Sequence, residues 1–268
     1  MNLRLELIYL YGIVPEDTPD PPPDLEGIDE ERVELVRLAE VAAIVSRVAE
    51  DDYSDEALNA RLDDLAWVGE RGVAHERVLD WFASRGAVIP LSLFSLHRDE
   101  DRLRQRIGVE EASFARILER LQGRKEWGIK LWRHGEAAAR RLDESSPSLR
   151  AIAARIEEAP TGRRFLLEKK QASMRTEEIR AISKRLAHEV YADLAKHAVA
   201  AESMPLPPAA PAAERTLLLH AAFLVDDGRF DAFQDAVNRQ AARAAPVGFE
   251  IEFTGPWPPY HFTTPDDD

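Results

Sequence analysis

Segments with strand-like and helix-like patterns are interspersed along this chain without the regular alternation that a parallel sheet requires. Runs rich in β-branched and aromatic residues predict strands at residues 3–14, 33–38, 41–48, 87–96, 127–132, 216–225 and 249–253. Apolar residues at three- and four-residue spacing predict helices at residues 54–82, 99–121, 151–159, 162–201 and 230–244. This order predicts an α+β fold of two domains, each a mixed or antiparallel sheet with helices on one face.

The boundary between the domains is predicted beside the alternating segment WGIKLW at residues 127–132. Residues 1–122 then form an N-terminal α+β domain, and residues 123–268 form a C-terminal α+β domain that contains the long helix. The C-terminal domain ends in a tail rich in proline and tryptophan, GPWPPYHF. The polar segment at residues 143–147 is interpreted as a linker.

Composition and charge exclude several classes of function. The formal net charge of −14 over 268 residues argues against broad nucleic-acid binding and against docking on anionic lipid, because both need a basic surface. The lack of cysteine excludes disulfides, thiolate metal sites and cysteine nucleophiles. The apolar N-terminal segment has no basic region and is interrupted by Glu6, and no run reaches the roughly 20 apolar residues that span a bilayer. We therefore expect a cytoplasmic protein with neither nucleic acid nor a membrane as partner.

The motifs that would indicate catalysis are missing from the sequence. It has no GxGxxG or GKS/GKT phosphate loop and no GxSxG nucleophile elbow. His75 lies on an apolar helix stripe, and we interpret it as a structural histidine bonded to a backbone carbonyl or a carboxylate, with a catalytic base as the alternative. Adjacent carboxylates such as Asp63 and Asp64 lack ligand spacing and predict a solvated face. We expect no catalytic, cofactor-binding or metal-binding residue.

The predicted helix at residues 162–201 begins with a concentration of positive charge in an otherwise acidic chain. The basic residues at its start are Arg163, Arg164, Lys169 and Lys170. One interpretation is an exposed helix face stabilised by opposite charges four residues apart. The other is a docking face for an acidic partner.

The tail GPWPPYHF is stiff and extended, because its three prolines fix the backbone angle φ. Trp257, Tyr260 and Phe262 add a large apolar area at low entropic cost. We favour a clamp in which these aromatic rings pack back on the sheet. The alternative is an exposed aromatic surface that contacts a partner.

Five stretches of the sequence resemble, in the same order, segments of the gas vesicle L/F protein family. They are YLYGIV at residues 9–14, HERVL with the following AVIPLSLF at residues 75–94, GRKEWGIKLW at 123–132, GRRFLLEKKQ at 162–171 and FTGPWPPYHF at 253–262. The glutamate–tryptophan–glycine strand and the GPWPPY motif are the most specific of them. Residues 92–95, SLFS, depart from the basic–phenylalanine–glycine sequence that the family commonly has there.

The resemblance implies an α+β protein of two domains, of which the C-terminal one is a modified ferredoxin-like domain. It implies a non-enzymatic accessory or minor structural role in the assembly of gas vesicles, the hollow protein compartments that give some cells buoyancy. The implied partners are the small hydrophobic wall protein and other gas vesicle accessory proteins. The chain would bind them as an adaptor, nucleator or holder.

Two other functions are alternatives to this one. Ferredoxin-like domains also build α+β barrel enzymes that bind haem or a small aromatic ligand, and His220 or His261 would then be the axial ligand. Ferredoxin-like sheets can also stack RNA bases on aromatic side chains, but the net charge of −14 argues against this.

Overall fold

The structure, a computed structural model, describes residues 5–208 and 214–264, which form two compact units. Unit 1 takes the described residues up to 125 together with those from 257 onward, and unit 2 comprises residues 126–256. The sequence had placed the whole tail in the C-terminal domain, whereas its residues from 257 onward group with unit 1. The division into folding domains at residue 122 stays a prediction.

Unit 1 is built on an antiparallel sheet with β1 at its centre. Its strands are β1 (Glu6–Pro15), β2 (Glu34–Arg37), β3 (Val41–Ala49), β4 (Ile89–Pro90) and β5 (Leu96–His97). The strand order is β2–β3–β1–β4, and β5 also pairs with β1. Strand β1 has neighbouring strands on both edges, and all its residues from Leu7 to Val14 are buried.

The helices of unit 1 are α1 (Glu50–Tyr53), α2 (Asp55–Arg61), α3 (Leu65–Ala83) and α4 (Glu100–Leu121). Both α3 and α4 contact β1. Helix α3 begins at Asp64, because the Asp64 carboxylate accepts hydrogen bonds from the backbone N–H groups of Ala66 and Trp67, both at 3.1 Å. The last turn of α3 then buries Val78, Leu79 and Phe82 in the core.

Unit 2 has a four-stranded sheet with the order β7–β8–β6–β9. The strands are β6 (Arg124–His134), β7 (Ala200–Ser203), β8 (Arg215–Asp226) and β9 (Phe249–Trp257), and its helices are α5 (Gly135–Ser145), α6 (Pro147–Glu157), α7 (Thr161–Ala195) and α8 (Phe230–Ala244). Strands β7 and β8 are antiparallel. Along the chain the unit runs strand, helices, two strands, helix, strand, which is the ferredoxin-like order with three helices in its first crossover.

The core of unit 2 forms where α7 and α8 pack against the sheet. Phe223 of β8 and Phe233 of α8 are fully buried, with ring centroids 5.5 Å apart. Val190 and Leu194 of α7 are fully buried in the same cluster. The α+β prediction with two sheets and a ferredoxin-like second part is therefore confirmed.

Among the described residues, no helix combines the length and the apolar character needed to cross a membrane.

One predicted helix of unit 1 is wrong in its continuity. Residues 54–82 were predicted as one amphipathic helix, but α2 ends at Arg61 and α3 begins at Leu65. Because the cap at Asp64 restarts the helix, the apolar stripe does not run through the break, and Leu62 and Leu65 are exposed. In α4, by contrast, Gly108 causes no break.

Three predictions in the other segments also need correction. The linker at residues 143–147 is wrong, because α5 continues to Ser145 and only Ser146 separates it from α6. The long helix ends at Ala195 instead of 201, and the short strand β7 follows it. The strand predicted at residues 87–96 is reduced to the two-residue pairings of β4 and β5.

Candidate partner-binding surfaces

The first turns of α7 expose both charge and apolar area. We call this surface the α7 basic patch, and its residues are Arg163, Arg164, Phe165, Leu166, Lys169 and Lys170. All of them are exposed, with 68% of Phe165 and 64% of Leu166 open to solvent. Only Leu167 in this stretch is buried, in a small apolar cluster with Leu149 and Ile152 of α6. The first turns of the helix are therefore anchored by one leucine, while the patch side chains face outward.

The four cations of the patch form no ion pair within the described part of the chain. The ion pairs of α7 lie further along, where Arg175 contacts Asp143 at 2.8 Å and Arg185 contacts Glu189 at 3.8 Å. The interpretation of an exposed face stabilised by pairs of opposite charge thus does not describe the start of α7. An adjacent pair of large apolar side chains in open water is typical of a contact surface.

The tail divides its three aromatic residues between burial and exposure. Phe262 is buried, and the Arg120 guanidinium of α4 donates to its carbonyl oxygen at 2.7 Å. The Tyr260 hydroxyl donates to the Glu76 carboxylate of α3 at 2.7 Å. Trp257 remains 48% exposed and Tyr260 36% exposed. The tail is thus held by the helices of unit 1 and still presents ring area from Trp257 and Tyr260.

Burial sets the protonation of the Tyr260–Glu76 pair. Burial, and next the Glu76 carboxylate, raise the pKa of Tyr260, so the hydroxyl stays protonated and donates. Burial also raises the pKa of Glu76, although the hydrogen bond from Tyr260 partly opposes this. The contact is therefore a hydrogen bond from a neutral phenol to a carboxyl group.

His75 has the structural role that its sequence position indicated. It is 2% exposed, its Nε2 lies 3.1 Å from the Leu91 carbonyl oxygen, and its Nδ1 lies 2.8 Å from the Tyr9 hydroxyl. Since a carbonyl only accepts, Nε2 carries the proton and Nδ1 accepts from Tyr9. Burial lowers the pKa of His75 to about 4, which keeps the ring neutral at pH 7.

The two histidines of the enzyme alternative lie in different units. His220 is half-buried in β8 of unit 2, and His261 lies in a short 3₁₀ turn, Tyr260–Phe262, of unit 1. Within residues 5–208 and 214–264, no group of three or more histidine, aspartate or glutamate side chains is arranged to hold a metal ion.

Phe165 and Leu166 were missed as candidate contact residues, although a signal for them exists. The buried stripe of α7 runs through Leu194, Val190, Leu186 and Ser183, and its three- and four-residue steps extend back to Leu167. Phe165 and Leu166 fall off this stripe. Two large apolar residues off the stripe and between basic pairs indicate an exposed contact surface.

Comparison with known proteins places these features in a family. The family model described as "Gas vesicle synthesis protein GvpL/GvpF" matches residues 7–264. Gas vesicle protein L of Streptomyces sp. (strain CB03234) is 30% identical over 265 residues, covering 97% of this chain and 92% of that protein. Gas vesicle protein F of the same strain is 27% identical over 259 residues, covering 95% and 98%.

Solved structures show the same fold. The crystal structure of the gas vesicle protein GvpF from Anabaena sp. PCC7120 superimposes with a TM-score of 0.70 at 18% identity, covering 98% of this chain and 100% of that one. GvpF from Microcystis aeruginosa gives a TM-score of 0.65 at 18% identity, covering 96% and 99%.

The fold is that of a two-sheet α+β protein. The chain belongs to the GvpL/GvpF family of gas vesicle proteins, and its role is in gas vesicle assembly. This family consists of structural and accessory gas vesicle proteins and is not known for enzymatic activity.

Proposed function

We propose that this chain binds the gas vesicle wall protein and other gas vesicle accessory proteins in the cytoplasm, as an adaptor, nucleator or holder. One observation supports this above the others: Phe165 and Leu166 are exposed between cations that have no ion-pair partner among the described residues. An apolar pair attracts a hydrophobic wall subunit, and the flanking cations select acidic segments near it.

The tail supplies a second, smaller contact surface in this proposal. Trp257 and Tyr260 present aromatic area, and aromatic residues dominate the energetics of protein interfaces. The hydrogen bond between Tyr260 and Glu76 holds the tail in one position, which lowers the entropy lost on binding.

The test is a pull-down of the tagged full chain from cells that co-express the wall protein and the other accessory proteins. Phe165→Ser with Leu166→Ser is expected to abolish recovery of the wall protein. The matched control is Leu65→Ser with Val109→Ser, which removes two apolar residues of equal or greater exposure, 84% and 78%, from helices α3 and α4. Equal losses in the two double variants would contradict a specific role of α7.

The charges of the patch are tested in the same assay. Arg163→Glu with Arg164→Glu is expected to weaken recovery strongly, whereas Arg180→Glu with Lys184→Glu reverses as many exposed charges later on the same helix and is expected to have little effect. Trp257→Ala and Tyr260→Phe test in the same pull-down whether the tail contributes to recovery of the wall protein. If the wild-type chain recovers no gas vesicle component, the adaptor proposal fails.

A further inference from the structure

A groove with an apolar floor opens on the surface of unit 2. Its volume is about 210 Å³, and helices α5 and α7 and the 3₁₀ turn Ala245–Val247 contribute to its walls. The floor consists of apolar side chains from these elements and from β9, among them Leu142, Ile179, Ile182, Leu186, Val247 and Phe249. We call it the unit 2 groove.

Gly248 allows the groove to form. Its φ is +83°, which is the left-handed region, and a Cβ atom there would lie 2.5 Å from the backbone nitrogen of Ala138. The turn Ala245–Val247 therefore approaches α5 as closely as the backbone permits. The Gly248 carbonyl also accepts a hydrogen bond from the His134 backbone N–H at 3.0 Å, which fixes this approach.

Three arginines from three different helices surround the floor. Arg141 comes from α5, Arg185 from α7 and Arg243 from α8. Glu189 is the one acid among the groove's described lining residues, and it lies 3.8 Å from Arg185 and 3.5 Å from Arg243. Arg141 contacts Glu144 at 3.2 Å, outside the lining. These pairs are long or exposed, so they bind the guanidinium groups weakly.

The rim of the groove is therefore positive on a chain whose net charge is −14. Guanidinium groups bind carboxylates in paired hydrogen bonds, and their weak hydration favours such contacts at interfaces. A volume of about 210 Å³ is smaller than a drug-sized site and suits one large apolar side chain. Cations on three helices around one apolar floor match a ligand with several carboxylates around one apolar group. A fatty acid has one carboxylate, whereas an acidic peptide has several.

We propose that the unit 2 groove binds a short acidic peptide segment that inserts one bulky apolar side chain between Arg141, Arg185 and Arg243. The groove is distinct from the α7 basic patch, because Ile179 lies nine residues beyond Lys170, or about 14 Å along the helix axis. The two surfaces can therefore be occupied and mutated separately, and this site does not depend on the adaptor function.

The experiment uses the full chain and a fluorescein-labelled, capped peptide with the sequence Glu-Glu-Ala-Trp-Ala-Glu-Glu, read by fluorescence anisotropy. We expect saturable binding that weakens about tenfold or more in Arg185→Glu with Arg243→Glu, and that weakens as salt is added. The control is Arg180→Glu, an exposed arginine of the same helix outside the groove, for which binding is expected to stay within about twofold. Equal weakening in Arg180→Glu would show attraction to general positive charge and would overturn the proposal.

The apolar floor has its own tests. A peptide with alanine in place of tryptophan is expected to lose most of its binding, and Ser145→Trp, which fills the groove from its exposed lip, is expected to block the original peptide. Methyl resonances of Ile179 and Ile182 are expected to shift on binding. Retained binding of the alanine peptide would overturn the proposal, as would binding of decanoate at these methyl groups while the peptide does not bind.

Failure here and failure of the adaptor function are distinguishable. If the chain binds the peptide but recovers no gas vesicle component, the groove proposal stands and the adaptor proposal fails. If the chain recovers gas vesicle components but does not bind the peptide, the groove proposal fails and the adaptor proposal stands.

Discussion

Unit 1 buries tyrosine hydroxyl groups in its core, whereas unit 2 buries phenylalanine rings and keeps a groove open beside them. In unit 1 the Phe94 backbone N–H donates to the Tyr9 hydroxyl at 3.1 Å, and the Tyr11 hydroxyl donates to Ser46 at 3.0 Å. In unit 2 the fully buried large rings are Phe223 and Phe233. A buried hydroxyl needs its partner at one distance and angle, but a ring tolerates small shifts of its neighbours.

The two units also differ in the exposed surfaces that they carry. Unit 1 has hydrogen-bonded tyrosines in its core, and an exposed hydrogen bond from Tyr260 to Glu76 holds its tail. Unit 2 carries the α7 basic patch and the groove, where apolar area stays open to solvent. The α7 basic patch and the groove therefore both lie in the unit whose fully buried rings are phenylalanines.

The largest effect is expected from a substitution at Gly248 in unit 2. Gly248→Ala forces a side chain into the left-handed region and against the Ala138 backbone, so we expect a loss of about 4 kcal/mol or more. Gly108→Ala is the control, since a Cβ there meets nothing within 4 Å and a helical alanine is expected to stabilise by about 0.5–1 kcal/mol. Denaturant unfolding measures both, and hydrogen exchange on peptides of each unit locates the damage. A small loss of unfolding free energy in Gly248→Ala would mean that the turn can shift to accommodate the new side chain.

The second largest loss of stability is expected when a tyrosine hydroxyl is removed from the core of unit 1. Tyr9→Phe leaves His75 Nδ1 without its partner in a buried site and the Phe94 N–H without its partner in a half-buried one, which we expect to cost about 3 kcal/mol. Tyr191→Phe in unit 2 removes a single half-buried bond to the Ala201 carbonyl and is expected to cost about 1 kcal/mol. Similar losses in the two variants would break the comparison between the cores.

A smaller effect is expected from the pH dependence that His75 gives to the stability of unit 1. Burial lowers the pKa of His75 from 6.5 to about 4, so below pH 6.5 the unfolded chain binds a proton that the folded chain excludes. Stability from this group is complete above pH 6.5 and is lost as the pH falls towards 4. Between pH 6.5 and 5 the loss is about 2 kcal/mol.

The measurement for His75 is the slope of unfolding free energy against pH in the wild type and in His75→Gln. The comparison isolates His75, because the two proteins share all their other titrating groups. A pH profile of the wild type alone would not, since Glu76 and Asp80 have raised pKa values and change the stability in the opposite direction to His75 as the pH falls. Parallel slopes for the two proteins would show that His75 titrates normally.

The smallest effects should be equal in the two units. Asp64→Ala removes the cap of α3, and Ser146→Ala removes the cap of α6, where the Ser146 hydroxyl accepts from the Leu149 N–H at 3.3 Å. Each is expected to cost about 1 kcal/mol in thermal or denaturant unfolding. A large excess in one unit would show that its caps also hold tertiary contacts.

Much of the fold could be predicted from local patterns. Helices α4 and α8 have apolar residues at helical spacing, and their predicted and observed bounds agree within one residue. The break at Asp64 was missed because leucines continue on both sides of it, and the stripe alone does not show which of them are buried. Strand β7 has the sequence AAES, whose strand conformation comes from pairing with β8 and not from its own propensity.

The candidate surfaces were predicted only in part. The charges at Arg163 and Lys170 are visible in the sequence, but the exposure of Phe165 depends on where α6 packs against α7. The groove was not predicted, because Arg141, Arg185 and Arg243 are far apart along the chain and only the tertiary fold gathers them. Sites assembled from single residues of several helices leave no local pattern.

The grouping of the tail with unit 1 has a consequence for how the protein is made. A ribosome synthesises the tail only after all of unit 2. The contacts from Tyr260 to Glu76 and from Arg120 to the Phe262 carbonyl therefore form late, although their partners on α3 and α4 emerge early. The residues of the α7 basic patch and of the unit 2 groove are therefore synthesised before unit 1 has the last segment that its own helices hold.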